Sequence, residues 1–172
     1  EGRRNVNREE LAQTAKAMVA DNKGLLAADE STGTMGKRLD SIGVENVEDN
    51  RRDYRELMFR AAGIGDYISG VSLFEETIRQ NAVDGTPLVD VLKTASVIPG
   101  IKVDPGAKEL PGRDDEKITE GLDGLPARVA EYYQLGARFA KWRAVIDIAD
   151  GIPSRYAVHT NAHALARYAK IC

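Results

Sequence analysis

Four short apolar runs, each separated from the next by a stretch of helical periodicity, constrain the fold of this chain more than any other feature. The runs are Leu25–Ala28, Tyr67–Phe74, Val97–Val103 and Ala137–Ile148. They lie ~30–45 residues apart, the spacing of parallel strands joined by crossover helices rather than of hairpins. Among the helical stretches, Leu11, Ala15, Met18 and Val19 recur behind a capping-box-like Asn7 and Glu10, and Gly24 suits the stop. Tyr54, Leu57, Met58, Ala61 and Ala62 predict a second helix, and Leu88, Val91 and Leu92 a third. Leu125–Leu135 reads as helical with Pro126 in its first turn, and Pro153 and Ser154 open a last helix over about Arg155–Ile171. Pro99-Gly100 is expected to break the third strand, and Lys108–Glu120 to form a polar loop. The expected class is therefore α/β, with no hairpin chemistry between these four strands. Four βα units make either a small doubly wound sheet or half of an eight-stranded barrel, which typically needs ~250 residues.

One domain suffices for 172 residues, and a composition of 42% hydrophobic and 30% charged residues excludes a collagenous, coiled-coil or disordered chain. A formal charge of −3 gives nucleic acid or an anionic membrane nothing to recognise. No uninterrupted apolar run exceeds four residues, against the ~20 that span a bilayer. Cys172 is the single cysteine, which leaves no intrachain disulfide and no cysteine metal knuckle. The charged opening Glu1–Asn7 is unlike a signal peptide. These features describe a soluble, cytoplasmic protein.

Parallel strands covered on both faces should be almost continuously apolar, yet charges interrupt these. Lys102 and Asp104 are two apart, on one side of the third strand. Lys141 and Arg143 repeat the pattern on the fourth, with Phe139 on the same face. The first strand delivers Asp29 at its carboxyl end, where ligands bind in open α/β sheets and barrels. Buried charges are costly unless they neutralise one another or meet a ligand. Two lysines, an arginine and a carboxylate suit an anionic, phosphorylated substrate, with a lysine for amine chemistry and Asp29 to move protons. The alternative is a structural ion-pair network.

Ser31, Thr32 and Thr34, between a strand and a helix, offer hydroxyls and backbone N–H groups to a phosphate, or else form a polar turn. Gly33–Lys37 is not a nucleotide phosphate loop: its glycine spacing is wrong, and Arg38 stands where Ser or Thr belongs. His159 and His163 have a zinc-binding spacing, but no glutamate or cysteine completes a site, and a solvated helix face explains them. The charged run Glu45–Glu56 is expected to be an exposed helix start, from which Arg51 or Arg55 reaches a phosphate.

Six stretches carry a resemblance to a known family. They are LLAADESTGTMGKR at Leu25–Arg38, GVSLFEET at Gly70–Thr77, GIKVD at Gly100–Asp104, EGLDGL at Glu120–Leu125, AKWR at Ala140–Arg143 and LARY at Leu165–Tyr168. In this order and spacing they closely resemble class I fructose-1,6-bisphosphate aldolase, over about Glu9 to Cys172. The resemblance implies a (β/α)8 TIM barrel. The four βα units would be its first half, with residues 1–172 as part of a single domain without an internal boundary. It implies reversible cleavage of fructose 1,6-bisphosphate into dihydroxyacetone phosphate and glyceraldehyde 3-phosphate, through a lysine Schiff base and with no cofactor or metal.

Position by position, the resemblance implies that Asp29 takes part in proton transfer at the reacting carbons. Lys141 would hydrogen-bond substrate hydroxyls and assist carbinolamine steps, with Arg143 near the same site. Ser31, Thr34 and Lys102 match positions around the phosphate at the sugar's far end. Arg38 matches an arginine on the phosphate of the dihydroxyacetone half, and Arg51 another substrate contact. The family's Schiff-base lysine belongs to the sixth strand and its glutamate pair to the fifth. Both are expected beyond residue 172, so these residues alone are expected to be inactive. Pro105 and Ala107–Arg113 depart from the family pattern in a peripheral loop. A cytoplasmic homotetramer is the form the resemblance implies, and a processed plastid form would look the same. The alternatives are a transaldolase-like barrel with Lys141 as nucleophile and a non-catalytic half-barrel scaffold.

Overall fold

The computed structural model describes residues 7–172, so the charged opening stretch lies, through residue 6, outside the described residues. The helices and strands begin α1 (Arg8–Met18), β1 (Gly24–Ala28), α2 (Thr32–Asp40), α3 (Glu48–Phe59), α4 (Ile64–Tyr67) and β2 (Ile68–Leu73). They continue with α5 (Leu88–Thr94), β3 (Ile98–Lys102), β4 (Ala107–Leu110), β5 (Arg113–Thr119), α6 (Leu125–Leu135), β6 (Phe139–Lys141) and α7 (Arg155–Ile171). Two compact units result: the described residues up to Ile101 with Leu135–Phe139, and Lys102–Gln134 with Ala140–Cys172.

In the first unit α1 begins at Asn7, whose side chain accepts the Glu10 N–H, as the capping pattern predicts. The helix ends at Met18, short of Gly24, which instead opens β1. The turn between them holds Asn22 at φ 61°, a left-handed conformation that asparagine tolerates. β1 pairs in parallel with β2 from Leu25↔Gly70 to Ala28↔Leu73, and β2 with β3 from Gly70↔Ile98 to Leu73↔Ile101. β2 is central and, beyond Ile68, wholly buried, as a covered parallel strand should be. Its Val71 and Leu73, with Leu88 and Leu92 of α5, form the core of this unit. β1 is the edge of the sheet, and its Leu25 is 52% exposed, so the first apolar run is not buried as a whole.

Two strand expectations are corrected. β3 runs unbroken through Pro99-Gly100, because Pro99 needs no N–H there and its carbonyl accepts the Arg138 N–H at 2.8 Å. β6 covers only Phe139–Lys141, and the stretch from Trp142 to Ile148 is not a strand. The sheet order is β1-β2-β3-β6.

In the second unit Lys108–Glu120 is not a loop. β4 and β5 pair antiparallel from Ala107↔Thr119 to Leu110↔Arg113, around a Pro111-Gly112 turn with Gly112 at φ 80°. α7 packs on this hairpin through Asn161, whose Nδ2 donates to the Lys117 carbonyl at 3.0 Å. The buried Glu116 accepts the Ser154 N–H at 2.6 Å, and the Ser154 hydroxyl in turn caps α7 by accepting from Ala157. From α6, Arg128 donates to the carbonyls of Val103 and Gly121 at 3.0 and 2.7 Å. Among the described residues no helix is long and apolar enough to cross a membrane.

Candidate active site

β1 stops at Ala28 and delivers Asp29 into a buried position. The Ser72 hydroxyl of β2 donates to Asp29 Oδ2 at 2.9 Å, which fixes one face of the carboxylate. The chain then turns directly into α2. Ser31 is the N-cap of that helix: its Oγ accepts the Thr34 N–H and lies 3.1 Å from the Thr34 hydroxyl. Both hydroxyls are exposed on the first turn, where the unpaired helix N–H groups favour anions. Arg38, in the last turn of α2, pairs with Glu30 at 3.2 Å and keeps 54% of its side chain exposed.

The charged run Glu45–Glu56 corrects the sequence expectation. α3 turns Arg51, Arg55 and Phe59 inward, four residues apart along one face, and all three are buried. Arg51 forms a two-pronged pair with Glu76, Nε to Oε2 at 2.9 Å and Nη2 to Oε1 at 2.6 Å, while its Nη1 donates to Asn46. The Arg51 hydrogen bonds hold the Glu76 carboxyl below the usual glutamate range, against the opposing effect of burial. Glu76 in turn raises the Arg51 guanidinium. Arg55 is fully enclosed and does not face a phosphate from outside. Its Nε donates to the Ala28 carbonyl at 3.2 Å and its Nη2 to the Glu30 carbonyl at 2.6 Å. Burial pulls its pKa down from the ordinary arginine value, opposed chiefly by Glu30 and Glu76, and the group remains a cation.

In the second unit the organising group is Asp104, whose carboxylate is almost completely buried. Lys102 Nζ donates to the Asp104 carbonyl at 2.7 Å and lies 3.4 Å from Oδ1. The Arg143 N–H donates to Oδ2 at 3.2 Å, and Thr119 Oγ1 donates to the Arg143 carbonyl at 2.6 Å. These side-chain bonds occupy both peptide groups of Arg143, which is why β6 stops before it. Two further bonds hold the preceding residues: Val103 N–H to the Lys141 carbonyl at 3.1 Å, and Tyr168 OH to the Ala140 carbonyl at 2.8 Å. The segment carrying Lys141 and Arg143 is therefore pinned by its backbone. Lys141 is half-buried and the Arg143 side chain is exposed.

The first unit thus groups Asp29, Ser31, Thr34 and Arg38 along one strand end and the helix that follows it, with Arg51 turned instead to Glu76. The second gathers Lys102 and Arg143 on Asp104, with Lys141 on the same pinned segment. Lys102 pairs with Asp104 and Arg51 with Glu76. Sequence reasoning missed Ser72, Glu76, Thr119 and Tyr168 as supports of these groups, and it misplaced Arg55. Among the described residues no group of three or more His, Cys, Asp or Glu side chains is set to hold a metal ion, so His159 and His163 lack a third ligand.

The sequence profile of the family "Fructose-bisphosphate aldolase class-I" matches residues 10–172. "Fructose-bisphosphate aldolase 1" of Toxoplasma gondii is 59% identical over 165 residues, covering 95% of this chain and 46% of its own length. "Fructose-bisphosphate aldolase 6, cytosolic" of Arabidopsis thaliana is 58% identical over 164 residues, with the same coverage of 95% and 46%. Among solved structures, the fructose-bisphosphate aldolase of Plasmodium falciparum, in complex with TRAP and a small-molecule inhibitor, matches with a TM-score of 0.92 at 52% identity. That match covers 95% of this chain and 48% of the solved chain. The chain spans about half the length of the curated relatives it matches.

Proposed function

This chain belongs to the class-I fructose-bisphosphate aldolase family, and on that premise we propose that the natural polypeptide carrying it cleaves fructose 1,6-bisphosphate reversibly into dihydroxyacetone phosphate and glyceraldehyde 3-phosphate. Its four-stranded sheet, in which β1, β2 and β3 run parallel, is part of the (β/α)8 barrel of that family. The observation that carries the reading is Asp29, a carboxylate buried at the end of β1 and held by Ser72. A carboxylate so placed suits proton transfer at the reacting carbons.

Lys141 hydrogen-bonds substrate hydroxyls and assists the carbinolamine steps, with Arg143 beside it. Ser31, Thr34 and Lys102 serve the phosphate at the sugar's far end. Arg38, the most exposed of these cations on the first unit, serves the phosphate of the dihydroxyacetone half. Arg51 is a further substrate contact, its direction set by Glu76. The reaction runs through a lysine Schiff base without a metal. No lysine in these 172 residues matches the family's nucleophile, so on their own they are proposed not to turn substrate over. A cytoplasmic homotetramer is the proposed state, its location supported by the cytosolic relatives.

The test is release of triose phosphates from fructose 1,6-bisphosphate by the polypeptide at its natural length. Its intact mass is also measured before and after treatment with dihydroxyacetone phosphate and borohydride. Turnover and one trapped adduct on a lysine outside these 172 residues are expected. An adduct on Lys141 would move the reading to a transaldolase-like reaction. Neither turnover nor adduct would leave a binding scaffold.

A further inference from the structure

The two peptide carbonyls that flank Asp29, those of Ala28 and Glu30, end on one guanidinium. Arg55 donates Nε to the first at 3.2 Å and Nη2 to the second at 2.6 Å. A guanidinium is a rigid planar fork, so two bonds from it fix an orientation and not merely a distance. The stretch between the two carbonyls cannot swivel without losing at least one of them. Arg55 is 0% exposed, so no solvent stands ready to replace a lost bond. The fork itself is steadied on two sides: Glu76 Oε2 lies 3.7 Å from Nη1, and the Phe74 ring lies 5.9 Å from the guanidinium carbon. Its Nη1 has no hydrogen-bond partner. A buried cation that leaves a donor unsatisfied is a costly stabiliser, and both of its good bonds go to the bracket around Asp29.

We infer that Arg55 is the positioning residue for Asp29: its fork clamps the carbonyls on either side and so sets where the carboxylate stands, while Ser72 sets how the carboxylate is turned. The inference rests on the proton-transfer role proposed for Asp29. It separates the arginines of α3 by task. Arg51 is held by a carboxylate on another segment, whereas Arg55 holds backbone.

The experiment compares R55K and R55M with D29A and with the double variant D29A/R55K, in the polypeptide at its natural length. Lys at 55 keeps the charge but offers a single nitrogen where a fork is needed. Its kcat is expected to fall ~10–100-fold with KM unchanged within about twofold, the size of effect that ångström-scale misplacement produces. In the D29A background R55K is expected to lower the residual kcat by no more than about twofold, because no carboxylate is left to position. R55M is expected to match or exceed the loss in R55K.

A residue that merely holds the fold would scale all variants alike, so an undiminished loss in the D29A background overturns the inference. R55K with wild-type kcat also overturns it. Failure of both R55K and R55M to give folded protein overturns it too, since Arg55 would then be required for folding. D29A turning over at the wild-type rate would remove the role proposed for Asp29, and the clamp with it. Inactive D29A beside fully active R55K would remove the clamp alone.

Discussion

Gly100 lacks a side chain where the Phe139 ring takes up the room one would need. A Cβ at Gly100 would lie 2.3, 2.4 and 2.5 Å from the ring atoms Cζ, Cε2 and Cε1. In Gly100→Ala the ring must therefore retreat by about 1 Å to reach ordinary contact. The same ring already lies 3.0 Å from where a Cβ on Gly70 would stand, so it is seated over β2 and β3 at once. Overpacking of this kind costs ~1–3 kcal/mol, offset by ~0.4–1 kcal/mol from the stiffer unfolded chain. The offset applies because Gly100 is not among the residues with positive φ. A net loss of ~1–2 kcal/mol corresponds to a fall in Tm of about 5 °C for a chain of this size. Thermal unfolding followed by circular dichroism reads this directly, in the wild type, G100A, F139L and the double variant. With the ring gone, Ala at 100 should be neutral or slightly stabilising, and G70A in the wild-type background should cost less than G100A. An unchanged Tm in G100A would refute the reasoning. So would an equal loss in the F139L background.

Two pH dependences follow from paired groups. Arg51 holds the Glu76 carboxyl below its ordinary range, so the stability this gives is complete above that range and is lost as pH falls through the depressed value. In E76Q the acid side of the stability curve, about pH 5 to 2, should flatten when urea midpoints are measured across it, and an unchanged acid slope would count against the pair. Tyr168 behaves in the opposite sense: burial first, and then the neighbouring Cys172 and Asp104, push its phenol above the ordinary tyrosine range. The folded chain keeps that proton, so stability is complete below about pH 10 and declines as pH rises past it. Y168F should lose that alkaline decline and should cost ~1 kcal/mol at neutral pH through the bond to the Ala140 carbonyl. Urea midpoints at neutral and alkaline pH decide it, and equal alkaline declines in both proteins would refute it.

What is legible in the sequence is whatever has local chemistry at its ends. Leu125–Leu135 and the last helix, at about Arg155–Ile171, are legible because a first-turn proline and a serine cap mark their starts. β2 is legible because a central parallel strand is apolar on both faces. The hairpin is hidden because Lys108, Glu109, Asp114 and Asp115 are exposed and give β4 and β5 the composition of a loop. Pro111-Gly112 was its one available signal. The alternation Phe139-Lys141-Arg143 mimics a longer strand, but the partners that end β6 are Asp104 and Thr119, distant in sequence. The buried face of Arg51, Arg55 and Phe59 reads as an exposed helix start in the sequence, because the groups that turn the two arginines inward, Glu76 and the carbonyls of Ala28 and Glu30, are distant in sequence. Asp29 is identifiable from its motif, whereas Ser72 as its partner needs the register of β1 on β2.

Trp142 is the only tryptophan among the 172 residues, and it stands between Lys141 and Arg143. Its ring stacks on Tyr168 with centroids 5.3 Å apart, and its buried Nε1 has no hydrogen-bond partner. An indole deprived of hydrogen-bonding solvent emits at short wavelength, and a tyrosine at this distance passes it excitation energy. The chain thus carries its one indole between two cations proposed to serve substrate. Rearrangement of that backbone is written into the colour and intensity of one emission band.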